Sequence, residues 1–269
     1  TKDMTNGKPI KLILGFAVPL LLGNLFQQFY NLVDTVIVGK VLGVNSLAAV
    51  GSTGSINFLI IGFCMGICNG FAIPVAQSFG AKNDKTLRKY VANSTWLALL
   101  FAVIMTIATI ILCKPILRLM RTPDDIFTGA YTYIVIIFAG IPATILYNMV
   151  SGILRAMGDS KTPLYFLILS AFLNIFLDLF CIIVLHMGVA GAAVATVVSQ
   201  AVSGVSCLLY MRKKFDILHI RKDEWKLESQ YVKNLCSMGI PMGLQYSITA
   251  IGSVILQTAV NSLGSMAVA

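Results

Sequence analysis

The sequence predicts an all-α integral membrane protein, on three observations. Of its 269 residues, 57% are hydrophobic and only 12% are charged, whereas soluble domains carry about a quarter charged residues. Apolar runs of about 20 residues, long enough to cross a bilayer as a helix, recur along the chain. The hydrophilic joints between these runs are mostly short. A bundle of membrane-spanning helices follows from these three features.

Seven apolar runs are candidate spans. They cover residues 12–38, 50–76, 92–113, 127–150, 164–185, 189–210 and 235–260. The joints between the first six spans are short, but the connection from the sixth to the seventh is longer and basic. We therefore expect an N-lobe of six transmembrane helices at 1–210, a basic cytoplasmic linker at 211–233 and the start of a C-lobe at 234–269.

An internal repeat supports this division. Ala17-Val18-Pro19-Leu20 in the first span is echoed by Gly239-Ile240-Pro241-Met242 in the seventh. Six spans separate the two copies, so both would enter the membrane in the same direction. Repeats of this parallel type build transporters from two bundles that face each other across a cavity. The sequence therefore predicts one complete bundle and the first helix of another.

The basic residues give an orientation. If the N-terminus is cytoplasmic, the inner segments hold sixteen of the 20 Lys and Arg residues and the outer segments hold four. Cytoplasmic loops of membrane proteins are enriched in Lys and Arg, so this distribution favours a multi-pass protein of the cell membrane with a cytoplasmic N-terminus. The net charge of +9 is then a topology signal, with anionic lipid headgroups as neighbours. Nucleic acid is not an expected partner.

The first span has one polar face. Its polar side chains are Asn24, Gln27, Gln28, Asn31 and Asp34, at helical spacing. Such a face must turn towards protein or water, and an ionisable group within a span is costly, so Asp34 is a candidate functional residue. Pro19 precedes it by fifteen residues and predicts a kink, which is either a static bend or a moving hinge.

Two further polar faces are expected at the same depth. In the fifth span, Asn174 and Asp178 are four residues apart and share a helical face. In the sixth span, helical spacing relates Thr196, Ser199, Gln200 and Ser203. Counting residues from the outer ends of the spans places Asp34, Asp178 and Thr196 in one layer of the outer half. The sequence thus predicts that three helices bring their polar faces together.

This cluster predicts ion binding. Two carboxylates in a low-dielectric site cannot easily both stay ionised, so a proton or a Na⁺ ion at Asp34 and Asp178 is expected to balance their charge. Asn174 and Thr196 would supply neutral oxygens. The alternative is that each aspartate only forms a hydrogen bond to a neighbouring helix. No other metal site and no cofactor are predicted. His186 and His219 lie in joints without catalytic spacing, so we do not expect an enzyme.

Other positions have simpler interpretations. Gly62, Gly66 and Gly70 form two overlapping GxxxG units, which favour close contact with another helix. The tyrosines near span ends, Tyr131, Tyr133 and Tyr210, are interpreted as anchors at the membrane interface. Arg155 is assigned to an inner joint. The predicted spans contain no Lys or Arg in mid-membrane.

The joint from Leu154 to Pro163 reads LRAMGDSKTP, which resembles the R-A-x-G-D-x-K-x-P loop of the MATE (multidrug and toxic compound extrusion) transporters of the MOP flippase superfamily. The motifs NLVDT in the first span, LAAVG opening the second and QSFGA closing it are also similar to that family. The resemblance covers nearly the whole chain. It implies twelve helices in two six-helix lobes, of which helices eight to twelve are missing here.

The resemblance also implies site residues and a mechanism. Asp34, Asn174, Asp178 and Thr196 look like the cation-coupling cluster of the DinF-like branch, in which the first-helix proline bends. Gln27, Tyr30, Asn148 and Gln200 look like its cavity-lining positions. Together with the polar faces above, the predicted substrate cavity comprises Asn24, Gln27, Tyr30, Asn31, Asn148, Ser199, Gln200 and Ser203. The implied activity is export of amphiphilic, often cationic, compounds in exchange for H⁺ or Na⁺ by alternating access.

Three alternatives remain. A flippase for lipid-linked precursors would need a cationic lumen for phosphate, which the absence of basic residues in mid-span disfavours. A non-transporting membrane scaffold would tolerate replacement of both aspartates. An ion channel would need a ring-forming filter signature, which the sequence lacks. We expect the protein to act as a monomer.

Overall fold

The computed structural model describes residues 9–264 and 268, except for the side chains of residues 9 and 223. The extremes of the predicted lobes, residues 1–8, 265–267 and 269, lie outside the described residues. Within the described part the chain is helical. The helices are α1 (Pro9–Leu42), α2 (Val44–Gly80), α3 (Asp84–Leu119), α4 (Asp124–Ala139), α5 (Ile141–Ala156), α6 (Lys161–Leu179), α7 (Val189–Lys214) and α8 (Ser229–Asn261).

The predicted all-α membrane fold is confirmed. In the part of the chain that the structure describes, six helices are long and apolar enough to cross a membrane. The pair α4 and α5 would be a seventh span, but it is bent by 45°. The prediction of one continuous helix at 127–150 missed this break. Pro142 lacks an N–H group and fits the first turn of a new helix, so α5 restarts after Gly140.

Gly140 also allows a close contact at the break. A Cβ atom at this position would lie 2.3 Å from Cγ2 of Val197, a distance that real side chains do not tolerate. The bend between α4 and α5 therefore packs directly against α7. This contact places α5 beside the polar part of α7, which matters for the site described below.

The helix α2 is central in the bundle. It packs against α3, α4, α5 and α8, and α1 packs mainly against α6. Large apolar side chains of α1, such as Leu21, Leu25 and Phe29, remain about 60% exposed. They form the surface expected to face lipid or other parts of a larger protein. α1 is thus held on one side, by α6 and, to a smaller extent, by α2 and α7.

The predicted close contact of the α2 glycines is confirmed, and its partner is α8. A Cβ atom on Gly66 would lie 2.6 Å from the carbonyl oxygen of Met242, and one on Gly70 would lie 2.5 Å from Cα of Gly239. The two backbones therefore touch without intervening side chains. This is the packing that small residues at i, i+4 spacing permit between membrane helices.

The connection between α7 and α8 is shorter than predicted. Arg212, Lys213 and Lys214 continue α7, where basic residues suit the negative end of the helix dipole, and α8 begins at Ser229. Residues 215–228 contain two short 3₁₀ turns, Asp216–Leu218 and Lys222–Trp225. Side chains of α3 hold this connection in place through hydrogen bonds and an ion pair.

We call this tie the linker clasp, defined by Arg88, Asn93 and Trp96 of α3 with Glu224 and Trp225 of the connection. The Arg88 Nε–H group donates to both carboxylate oxygens of Glu224, at 2.9 and 2.8 Å. The indole N–H of Trp96 donates to the carbonyl of Trp225, and the two indoles meet edge to face. Asn93 accepts from the backbone N–H of residue 228.

Candidate functional site

The centre of the site is a pair of buried carboxyl groups. Asp34 projects from α1 and is 8% exposed, and Asp178 projects from the last turn of α6 and is fully buried. Their side chains are close enough to interact directly with each other. The packing of α1 on α6 therefore joins two residues that are 144 positions apart in the sequence.

Thr196 of α7 connects the three helices. Its Oγ1 atom accepts hydrogen bonds from the Asn174 side-chain N–H at 3.3 Å and from the Tyr30 O–H at 3.4 Å. Tyr30 is one turn before Asp34 on α1, and Asn174 is one turn before Asp178 on α6. The structure thus brings together Asp34, Asn174, Asp178 and Thr196, as the sequence predicted, and adds Tyr30 from the predicted cavity.

Four carboxyl and amide oxygens of this cluster lack donors. Among the described residues, no hydrogen-bond donor reaches Oδ1 of Asp34, either carboxylate oxygen of Asp178, or Oδ1 of Asn174. Buried acceptors without partners are rare in proteins and destabilising. Oxygen atoms are the ligands that hard cations prefer, and a proton shared between two carboxylates would give one of them a donor. These unpaired oxygen atoms could therefore bind either a proton or a Na⁺ ion.

Tyr133 is a member of this site that the sequence interpretation missed. It is 6% exposed on α4 and interacts electrostatically with Asp34, Asp178 and Tyr30. The interpretation of Tyr133 as an anchor at the membrane interface is therefore wrong. Its spacing of seven from Ile126 and of four from Ile137, which are both buried, was a signal that it lies on the inward face of α4.

A second polar group lies between α5 and α7. The Thr144 hydroxyl donates to Oε1 of Gln200 at 2.6 Å, and the Asn148 side chain donates to the carbonyl of Thr144 at 2.8 Å. Ser199 and Ser203 lie beside it on α7 and are buried. The predicted cavity residues of α5 and α7 therefore form one polar surface, with Thr144 as an addition that the sequence analysis did not name.

The polar face of α1 is divided. Asp34 turns inwards with Tyr30, whereas Asn24, Gln28 and Asn31 are exposed and Gln27 is half-buried. The Gln27 side-chain N–H donates to Oδ1 of Asn31 at 3.5 Å, along the helix itself. The reason is the helical geometry. With 3.6 residues per turn, residues 30 and 34 are rotated around the helix axis to the same side of residues 24 and 31. Asn24 and Asn31 thus lie on the exposed side of α1, next to the face that carries Asp34.

Pro19 lies within α1 and is buried, and the helix continues on both sides of it from Pro9 to Leu42. Its predicted role as a kink or hinge therefore stays a prediction. The proline ring removes one backbone hydrogen bond fifteen residues before Asp34, so a weak point precedes the ionisable part of the helix.

These features define a class of protein. A helical membrane bundle with a buried, charge-unbalanced polar cluster between its helices has the architecture of a secondary transporter. The MatE family model matches residues 19–180, which is more than half of the chain. The chain therefore belongs to the MatE family of membrane transporters, which confirms the predicted family and the expectation of a transporter rather than an enzyme.

Relatives and solved structures agree with this assignment. The chain is 34% identical to the probable multidrug resistance protein YoeA of Bacillus subtilis, covering 94% of this chain and 56% of that protein. It is 32% identical to the probable multidrug resistance protein YpnP of the same organism, covering 97% and 58%. It resembles a multidrug resistance MATE family transporter of the MOP superfamily in an inward-facing conformation, at 28% identity and a TM-score of 0.83, covering 90% and 55%.

The chain spans a little over half the length of the relatives it matches. This coverage is compatible with the predicted division into one bundle and the start of a second. It also means that a little under half of each of those proteins has no counterpart among the helices described here.

Proposed function

We propose that the protein is a secondary active antiporter that exports amphiphilic, often cationic, organic compounds in exchange for H⁺ or Na⁺. The observation that carries this proposal is the pair Asp34 and Asp178, whose buried oxygens lack donors in the described part of the chain. A cluster that served only to join helices would have its hydrogen bonds satisfied. This cluster instead has unpaired oxygens that a cation could bind and leave.

The mechanism follows from where the two carboxyl groups are attached. Without a cation, the charges on α1 and α6 repel each other, and with a proton or Na⁺ between them they attract. α1 is held on one side only and has a largely exposed apolar surface, so it is the helix that can move. Cation binding would therefore draw α1 towards α6 and change the space next to α1.

Substrate binding would use the polar surface between α5 and α7. Asn148 and Gln200 are partly exposed there, and Thr144 fixes the orientation of the Gln200 side-chain amide. A ligand that binds better when α1 stands away from α6 would be released when a cation draws α1 back, and the reverse also holds. This reciprocal effect is what antiport requires of the two sites.

The proposal includes a topology. The N-terminus would be cytoplasmic, with an N-lobe at 1–210, a cytoplasmic linker at 211–233 and a C-lobe that starts at 234–269. The full protein would have twelve helices and act as a monomer in the cell membrane. The Lys and Arg distribution supports this orientation. The direct contact of α2 and α8 through glycines supports an arrangement in which the two lobes meet at these helices.

The test uses the full-length protein in proteoliposomes that contain a fluorescent organic cation. Efflux is recorded under an imposed pH gradient and, separately, under a Na⁺ gradient. We expect one gradient to drive efflux, which names the coupling ion, and we expect Asp34→Asn to stop it. The matched control is Asp216→Asn, because the Asp216 side chain is 96% exposed in the linker.

Two results would contradict the proposal. If neither gradient drives efflux of the cation, the substrate class is wrong or the protein acts as a flippase. If efflux persists in Asp34→Asn, the carboxyl pair has a structural role, as a scaffold would require. A loss that is equal in Asp216→Asn would indicate a general effect of lost negative charge rather than a coupling site.

A further inference from the structure

Arg155 is a charged residue of the bundle that the proposed coupling mechanism does not use. Its charge predicts a position in a hydrophilic joint, but the structure places it in the last turn of α5. Its side chain is only partly exposed, and its Nη2–H group donates to Oδ1 of Asn69 on α2 at 3.1 Å. The guanidinium group thus reaches sideways to a neighbouring helix instead of extending into water.

The charge of Arg155 is not balanced by a neighbouring acid. It forms no ion pair with any carboxylate of the residues that the structure describes. The groups that interact with it electrostatically are the phenols of Tyr147 and Tyr246 and the thiols of Cys68 and Cys207, all of which are neutral at neutral pH. A cation among neutral side chains in a helical bundle is energetically costly and calls for an anion.

The nearest acid in the sequence is Asp159, four residues further along in the turn after α5, and it is engaged elsewhere. Its carboxylate accepts from the backbone N–H of Thr162 at 3.0 Å and from the Thr162 hydroxyl at 2.7 Å. Asp159 therefore caps the start of α6. It forms no salt bridge with Arg155.

Arg155 lines an open, shallow cavity of about 280 Å³ between α1, α2 and α5. Phe16 and Leu20 of α1 line one side of the cavity. Residues with small side chains, among them Ala72 of α2 and Gly152 of α5, line the other sides. Pockets for whole drug-sized ligands are usually larger, from about 300 to 1,000 Å³. This cavity is large enough for one end of such a molecule. Apolar side chains, small neighbouring residues and the single charge of Arg155 suit an amphiphile with one negative group.

We propose that this cavity, through Arg155, binds the carboxylate, or a similar anionic group, of amphiphilic substrates. A guanidinium group has five N–H donors, and Asn69 occupies one of them, so a fork of donors remains for an anion. Phe16 and Leu20 would contact the apolar part of the ligand. The proposal rests on the proposed transport function and adds to it a binding site for the anionic group of a substrate.

The cavity shares a helix with the coupling site. Phe16 and Leu20 lie on α1, which also carries Asp34. A movement of α1 towards or away from α6 would therefore change one wall of the cavity while Arg155 and Asn69 stay on α5 and α2. Anionic substrates would in this way respond to the same cation as other substrates.

The test compares two dyes that differ only in the anionic group. Tetramethylrhodamine has a free carboxylate and is a zwitterion, and its methyl ester is a cation. With the full-length protein in proteoliposomes, the ratio of the acid efflux rate to the ester efflux rate should fall roughly tenfold in Arg155→Gln, since a hydrogen bond to a charged group is lost. The matched control is Lys161→Gln, which removes a basic charge at the same side of the bundle and should leave the ratio unchanged.

A second variant separates ligand binding from a structural role. Asn69→Asp is nearly isosteric and places a carboxylate next to Arg155, so the guanidinium group gains an internal partner. If Arg155 only holds α5 to α2, this variant should transport both dyes normally. If Arg155 binds the substrate anion, the ratio should fall about as far as in Arg155→Gln, because the new carboxylate competes with that of the dye.

Direct binding keeps this test independent of transport. Fluorescence polarisation of the two dyes with purified protein should show a preference for the acid that both variants abolish. An unchanged ratio and unchanged binding preference in Asn69→Asp would overturn the inference. A wild-type protein that moves neither dye, but binds the acid selectively through Arg155, would contradict the proposed transport function while leaving the anion site intact.

Discussion

Two sites among the described residues bury acidic side chains, and they differ in how the charge is satisfied. Glu224 in the linker clasp is 2% exposed, and Asp178 in the bundle is fully buried. Both oxygens of Glu224 accept from Arg88, and one of them also accepts from the backbone N–H of Arg221 at 2.9 Å. Asp178, in contrast, has no donor on either oxygen among the described residues.

The difference separates a structural acid from a functional one. Removing a carboxylate from water costs free energy in both places, and the linker clasp offsets this cost with an ion pair in which the Arg88 Nε–H group donates to both carboxylate oxygens. The pair Asp34 and Asp178 has no such compensation inside the chain, so its compensation has to arrive from outside as a cation. The same substitution, acid to amide, should therefore have opposite effects at the two sites.

The largest expected effect is on transport. Asp34→Asn and Asp178→Asn should each reduce gradient-driven efflux by about a hundredfold or more, because an amide cannot bind and release the coupling charge. The thermal unfolding temperature in detergent should stay the same or rise, since removing an unpaired buried charge relieves a cost. A lower unfolding temperature together with retained efflux would show that the pair resembles the linker clasp after all.

The second effect is on stability. Glu224→Gln should lower the free energy of unfolding by about 2 kcal/mol, because the ion pair with Arg88 is lost and this pair is mostly shielded from solvent. Denaturant titration in detergent measures the change, with Asp216→Asn as the exposed control. Efflux by Glu224→Gln should still respond to the same ion gradient as efflux by the wild type. Loss of that response would place Glu224 in the coupling mechanism and remove the contrast.

The two sites also differ in how well the sequence predicted them. Asp34, Asn174, Asp178 and Thr196 could be grouped because helical spacing gives the face and residue counting gives the depth of each position in a span. The linker clasp could not be predicted in this way. Arg88 and Glu224 are 136 residues apart, and Glu224 lies in a connection where no period fixes the direction of a side chain.

The same limit explains the other misses. The break at Gly140 depends on a contact with Val197 that no local pattern records. Tyr133 is near the end of a predicted span, where tyrosine commonly marks the membrane interface, and only the packing of α4 shows that it faces inwards. Arg155 was assigned by its charge to a joint, although its side chain packs against a neighbouring helix. Spans and faces follow from periodicity, whereas contacts between distant segments do not.

The third effect concerns pH at the linker clasp. The hydrogen bonds from Arg88 hold the pKa of Glu224 below its ordinary value. A lowered pKa in the folded state means that the clasp adds stability above the ordinary glutamate value of about 4.3, and that this stability is lost as the pH falls through the lowered value. Hydrogen exchange of segment 221–228, corrected for the intrinsic rate, should therefore increase at acidic pH.

Glu224→Gln supplies the control for this measurement. Its segment 221–228 should exchange faster than that of wild type at neutral pH and should lack the acid-dependent increase. If hydrogen exchange of this segment has the same pH profile in wild type and in Glu224→Gln, the ion pair does not hold the connection in place. Glu224 would then have no structural role to compare with the carboxyl pair.

The smallest expected effect is at Thr196, which has nearly the same shape as valine. Thr196→Val removes the oxygen that accepts from Asn174 and Tyr30. The Asn174 amide is then without its acceptor, and it lies one turn from Asp178 on the same face of α6. If it turns to the carboxyl pair, the pair gains an internal donor and the cation has to compete with it.

We therefore expect the concentration of coupling cation at half-maximal efflux to rise about fivefold in Thr196→Val, with the maximal rate retained. Thr95→Val is the matched control, because the Thr95 hydroxyl bonds only to its own helix, at the carbonyl of Val91. An unchanged cation dependence would mean that the carboxyl pair is insensitive to an added donor. In that case the lack of donors would not be what distinguishes Asp34 and Asp178 from Glu224, and the contrast would have to rest on the movement of α1 alone.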